Sequence, residues 1–96
     1  MSTLHEVLST GTYHLIDVRE PLELEMEGAI EGATNIPLGE VVARAQEITS
    51  LPNPVILFCR SGNRSGKALE LLYDEGLNEG YNGGGYLQLQ SLLDAQ

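Results

Sequence analysis

Residues Val55-Ile-Leu-Phe58 form four consecutive apolar positions with no polar alternation, closed by Cys59. A strand with one solvated face alternates polar and apolar residues. An unbroken apolar run therefore predicts a strand covered on both faces, as in the centre of a parallel sheet. The next residues, Arg60-Ser-Gly-Asn-Arg-Ser-Gly-Lys67, are rich in donors, and helical spacing follows at Ala68, Leu69, Leu72 and Tyr73. A buried strand turning through a short loop into a helix aims successive amide N–H groups inward. The helix N-terminus adds unsatisfied donors and partial positive charge. Cys59 is the chain's only cysteine, and three of the five basic residues lie within eight positions of it, in a chain of net charge −9. Thiolates form where cations and amides surround the sulfur, so the segment predicts a reactive cysteine with a depressed pKa.

The rest of the chain reads as alternating helices and strands. Leu4, Val7 and Leu8 predict a short helix ended by Gly11. His14–Val18 reads as a strand, and Pro21 opens a helix over Glu20–Glu27 with Leu22 and Met26 on its inner face. Ala33–Ile36 is a short strand stopped by Pro37. Leu38–Ile48 is a helix with Val41, Val42 and Ala45 inward, and residues 50–54 are a loop. Gly76 caps the helix after the cysteine loop. A last strand covers Gly80–Asn82, Gly83-Gly-Gly85 is a turn close to that loop, and a final helix runs from Tyr86 to Leu93. This order predicts an α/β fold over residues 1–96 as one domain, with a mainly parallel sheet flanked by helices on both faces. Ligands of such sheets sit beyond the strand C-termini, where both Asp17 and Cys59 fall.

Within the loop, Gly62 permits tight curvature. Asn63 accepts left-handed φ or caps the helix, and Ser65 offers a hydroxyl. Arg60 and Arg64 can hold an oxyanion through paired donors. The acidity argues against nucleic acid and anionic membranes, both of which demand basic patches. No apolar run approaches the length of a membrane span, and the first residues lack the pattern of a signal peptide, so a cytoplasmic location is expected. His5 and His14 have no partner at metal-ligand spacing, and no metal is expected. The glutamates between Glu20 and Glu31 read as a solvated face that can repel or select partners beside the site.

Phe58-Cys-Arg-Ser-Gly-Asn-Arg-Ser-Gly-Lys67 resembles the active-site loop of the rhodanese family in its single-domain sulfurtransferase form. Three further segments resemble that family in order: Leu15-Ile-Asp-Val-Arg-Glu-Pro21, Gly28-Ala-Ile-Glu-Gly-Ala-Thr-Asn-Ile-Pro-Leu38 and Tyr81-Asn-Gly-Gly-Gly85. The resemblance implies a thiosulfate sulfurtransferase. Cys59 would take the outer sulfur of thiosulfate or a similar small anionic donor as a persulfide and pass it to cyanide, a thiol or a protein thiol. It implies that Arg60, Ser61, Gly62, Asn63, Arg64 and Ser65 bind the donor and stabilise the sulfur, with Asp17 and Arg19 supporting the loop from beneath. No cofactor is implied, because sulfur is itself the carried group, and a monomer is expected. The sequence departs from the family at Ala29, where a histidine is usual. It also lacks tryptophan, whose packing role falls partly to Tyr86, and the strand before the first helix is missing or reduced to Met1–Thr3. Cysteine-dependent phosphatases and arsenate reductases carry Cys-x5-Arg, whereas Cys59 and Arg64 stand at Cys-x4-Arg, a smaller ring suited to one sulfur atom. A slow sulfur carrier or protein-recognition module is the other alternative. Loading by a partner desulfurase but not by thiosulfate would mark it.

Overall fold

A computed structural model describes residues 3–52 and 54–96. Among these residues four strands, β1 (His14–Asp17), β2 (Thr34–Asn35), β3 (Val55–Cys59) and β4 (Gly80–Gly85), form one parallel sheet in the order β2-β1-β3-β4. The described residues also form the α-helices that connect and flank them: α1 (Leu4–Thr10), α2 (Pro21–Glu27), α3 (Ala45–Thr49), α4 (Asn63–Asp74) and α5 (Tyr86–Asp94). All five residues of β3 are buried, as the apolar run demands. Val55, Leu57 and Cys59 pack with Ala68 and Leu72 of α4 and Ile48 of α3. Ile56 and Phe58 point the other way, against Val7 and Leu8 of α1 and Leu89 of α5. Helices thus cover both faces, and each fully buried aliphatic side chain contributes roughly 1.5–3 kcal/mol.

Local chemistry explains where the elements begin and end. Thr3 accepts the Glu6 amide at the head of α1, and Gly11, at φ +73°, closes it. Pro21 stands in the first turn of α2, where its missing N–H costs nothing, and the Glu20 N–H donates to Glu23 Oε1 at 3.0 Å. Gly76, at φ +103°, follows the last residues of α4. The strand read as missing or reduced to Met1–Thr3 falls partly on Met1 and Ser2, outside the described residues; Thr3 itself caps α1.

Four local expectations change. Leu22 and Met26 are 62 % and 76 % exposed, so the apolar stripe of α2 faces outward rather than into the core. This two-turn helix buries no residue and is attached by polar contacts instead. The helix expected over Leu38–Ile48 divides into a 3-10 turn at Leu38–Glu40 and α3. The Val41, Glu40 and Ala45 amides bond three residues back, and this tighter winding turns Val41 and Ala45 inward but leaves Val42 exposed. Tyr73 is likewise half exposed, its hydroxyl donating to the Gly80 carbonyl at 3.0 Å. Finally, Gly83-Gly-Gly85 belongs to β4 rather than to a turn. The pairing with β3 passes from Leu57↔Asn82 to Phe58↔Gly84, leaving Gly83 as a bulge. A Cβ on Gly83 would stand 2.9 Å from Ile56 Cγ2, so the glycine is there for close approach.

Candidate active site

Cys59 ends β3, and the chain turns at once through Arg60–Gly62 into α4. Gly62 takes φ +98° and caps the helix, so the left-handed residue is Gly62 and Asn63 is simply the first helical residue, exposed to solvent. No non-glycine described residue has positive φ. The turn folds its donors back onto the sulfur. The Gly62 N–H donates to Cys59 Sγ at 3.0 Å, and Ser65 Oγ lies 3.5 Å from it. Burial pushes the Cys59 thiol up, but the Ser65 hydroxyl and the amides of Ser65, Ser61 and Gly62 outweigh it and hold the thiol below its ordinary value. A cysteine buried among apolar groups alone would shift the opposite way.

The loop is anchored from β4. Asn82 Nδ2 donates to the Gly62 carbonyl at 3.0 Å, while Asn82 Oδ1 accepts from Ser65 Oγ at 2.7 Å and from the Gly84 amide at 2.9 Å. Gly85 closes the other side. A Cβ there would meet the Arg60 carbonyl oxygen at 2.6 Å. Asn82 was not among the residues singled out by sequence. Its only signal there is its place directly before the three glycines.

Asp17 and Arg19 lie on the opposite face of the sheet from Cys59. Ile16 and Val18 share the core cluster of Cys59, so the intervening residues point away from it. Arg19 is fully buried. It donates from Nε and Nη2 to the Asp17 carboxylate at 2.7–3.1 Å and from Nη2 to the Gly28 carbonyl at 2.9 Å. Its Cζ stacks 4.1 Å from the centre of the Tyr86 ring, a cation–π contact that offsets part of the cost of burying the guanidinium. Nη1 is buried without a hydrogen-bond partner. Asn35 Nδ2 donates to the carbonyls of Asp17 and Arg19 at 2.9 and 2.8 Å, fixing the bend after β1.

The two arginines of the loop are engaged by α2. Arg64 donates from Nη1 and Nη2 to the two carboxylate oxygens of Glu23, at 2.5 and 2.8 Å. Arg60 Nε stands 3.5 Å from Glu27 Oε1. The Arg64 hydrogen bonds, with help from the Glu20 amide, pull the Glu23 carboxyl down to about 2. Glu23 in turn raises Arg64, and Arg64 also feels the Cys59 charge. Two members of the acidic face of α2 are therefore ion-pair partners at the rim of the loop. Cys59 has no exposed surface, whereas Arg60 and Ser61 are exposed.

A depression of about 310 Å³ lies elsewhere, lined among others by Tyr13, His14, Glu31 and Thr34, and contains no loop residue. Among the described residues no group of three or more His, Cys, Asp and Glu side chains is gathered as a metal site would require.

The rhodanese-like domain family matches residues 1–91. The uncharacterized protein YqhL of Bacillus subtilis is 48 % identical over 85 residues, which cover 85 % of this chain and 66 % of that protein. The thiosulfate sulfurtransferase PspE of Escherichia coli is 40 % identical over 73 residues, 75 % of this chain and 69 % of that one. The chain thus spans about two thirds of the length of these relatives. A solved structure of a rhodanese with anions from E. coli superposes with a TM-score of 0.72 at 36 % identity, covering 80 % of this chain and 91 % of that one.

Proposed function

This chain belongs to the rhodanese-like sulfurtransferase family, and we propose that it moves a sulfane sulfur from thiosulfate or a similar donor to a thiophilic acceptor through a persulfide on Cys59. The supporting observation is the Gly62 amide 3.0 Å from Cys59 Sγ, within a ring of donors that depresses the thiol. The backbone amides among these donors stabilise negative charge on sulfur before and after transfer without reorganising.

In the first half-reaction, the Cys59 thiolate attacks the outer sulfur of thiosulfate. The bond between the two donor sulfurs breaks, sulfite leaves with the bonding electrons, and one negative charge stays on the new persulfide. In the second, cyanide or a thiolate attacks the outer sulfur of that persulfide, and the Cys59 thiolate returns. Ser61, Gly62 and Ser65 hold the sulfur. Arg60, Asn63 and Arg64 line the donor's approach, and Asp17 and Arg19 brace the segment beneath. Because Cys59 is covered at rest, a donor gains the sulfur by displacing side chains at the rim, where Arg60 and Ser61 are exposed.

We assign this activity to one domain over residues 1–96, acting as a monomer in the cytoplasm. Small sulfur anions are its donors, and thiols or protein thiols its acceptors. Among the described residues no helix is long and apolar enough to cross a membrane. Thiocyanate production from thiosulfate and cyanide tests the proposal. Wild type is expected to form it and Cys59→Ser to form none; thiocyanate formed equally by Cys59→Ser would refute the role of Cys59.

A further inference from the structure

We infer that Glu23 and Glu27 set donor specificity by occupying the loop guanidiniums, so that the site discriminates against doubly charged sulfur donors in favour of those with one negative charge. This deepens the sulfur-transfer proposal above and rests on it. All five basic side chains of the chain are matched to carboxylates. Arg19 is buried with Asp17, Arg44 bridges Glu40 and Glu47, and Lys67 lies 3.9 Å from Glu70. The remaining two, Arg60 and Arg64, face Glu27 and Glu23. Among the described residues, therefore, no Lys or Arg side chain without a carboxylate partner stands at the rim of the cup to meet a second anionic charge.

The two glutamates are held in place. Glu23 and Glu27 are four residues apart on α2 and so share one helix face. Tyr86 Oη donates to the Glu27 carbonyl at 2.8 Å, and Arg19 Nη2 to the next carbonyl, that of Gly28, at 2.9 Å. These bonds tie the end of α2 to the body beneath the loop. Glu23 is fixed by both Arg64 nitrogens and by the Glu20 amide. A donor bringing two charges must compete with these carboxylates for the guanidiniums, or approach them unpaired. The net charge of −9 adds to the repulsion at long range.

Thiosulfate and methanethiosulfonate separate charge from chemistry. Both present the same outer sulfur on an oxidised sulfur centre, the first as a dianion and the second as a monoanion. Attack by the Cys59 thiolate on thiosulfate gives the persulfide anion and sulfite dianion. Attack on methanethiosulfonate gives the same persulfide and methanesulfinate. Charge balances in each, and no further reactant enters.

The experiment compares kcat/KM for the two donors in wild type and in Glu27→Gln, which leaves the cap of α2 by Glu23 in place. The ratio of thiosulfate to methanethiosulfonate is expected to rise about fivefold in the variant, carried by KM, as removal of one nearby charge predicts. Glu23→Gln, checked for retained secondary structure, is expected to move the ratio the same way. A ratio unchanged or lowered in Glu27→Gln, with Cys59 still loaded by either donor, overturns this inference alone. Failure of wild type to gain sulfur on Cys59 from both donors overturns the sulfur-transfer proposal itself.

Discussion

Ser65 Oγ lies 2.7 Å from Asn82 Oδ1 and 3.5 Å from the Cys59 sulfur, so one hydroxyl joins the last strand to the cysteine. A hydroxyl carries one proton. While Cys59 is a thiol, that proton belongs with Asn82, and the thiol donates toward Ser65. Once the thiolate forms, the same hydroxyl can turn its proton to the sulfur, while the Gly62 amide stays in place at 3.0 Å. Sulfur charge is thus stabilised by a rotation of one side chain and by amides that do not move.

Ser65→Ala removes the largest of the groups that hold the Cys59 thiol down. The pH at which the thiolate forms is expected to rise, because the charged form loses a donor while burial still opposes it. Alkylation rate against pH measures this. At neutral pH the variant is expected to react on the order of tenfold more slowly, the scale of one hydrogen bond to a charged group. An unshifted midpoint would mean that the amides alone set the thiolate.

Gly85→Ala tests the packing that closes the loop. Gly85 has φ −83° and ψ 145°, a conformation open to alanine, so the penalty is steric rather than conformational. The new Cβ would stand 2.6 Å from the Arg60 carbonyl oxygen. A loss of about 1–3 kcal/mol is expected in denaturant unfolding, the usual cost of overpacking. Wild-type stability would show that β4 and the loop part without cost.

Asp17→Asn leaves the buried Arg19 guanidinium without its counter-charge. Breaking a buried pair by removing one partner costs about 3–5 kcal/mol. Unfolding in denaturant should show a loss of that order, whereas Arg60→Ala, at an exposed side chain, should change stability by less than about 1 kcal/mol. Equal effects would mean that Asp17 is not the counter-charge on which the buried Arg19 depends.

Glu23 carries a pH signature. The Arg64 guanidinium holds the Glu23 carboxyl down at about 2, below the ordinary 4.5, so the ion pair contributes stability fully above pH 4.5. That contribution fades as pH falls toward about 2, because the unfolded chain takes up the proton first. Glu23→Gln is expected to flatten this part of the stability profile, and an unchanged slope between pH 4.5 and 2 would detach Glu23 from Arg64 in solution.

Much of the fold was legible because the strongest signals are local. The unbroken run Val55–Phe58 specifies a strand covered on both sides, and strand, loop and helix in succession specify inward amides around Cys59. What escaped depends on distance along the chain. Glu23 meets Arg64 across 41 residues, and Asn82 meets Ser65 across 17, and neither partner is marked by a periodic pattern. Leu22 and Met26 had helical spacing that pointed to a core, but α2 is too short to cover the sheet and lies over polar partners instead. The three glycines read as a turn by composition. Gly83 and Gly85 are there for contact, since a Cβ on either would strike β3 or the loop, whereas Gly84 takes φ +80°.

Intact-mass analysis after incubation with a sulfane donor and removal of the excess tests the central claim most directly. Wild type is predicted to gain the mass of one sulfur atom, localised to Cys59 by peptide mapping and removed by cyanide, while Cys59→Ser gains nothing. An unchanged wild-type mass, or a gain that persists in Cys59→Ser, would contradict the account.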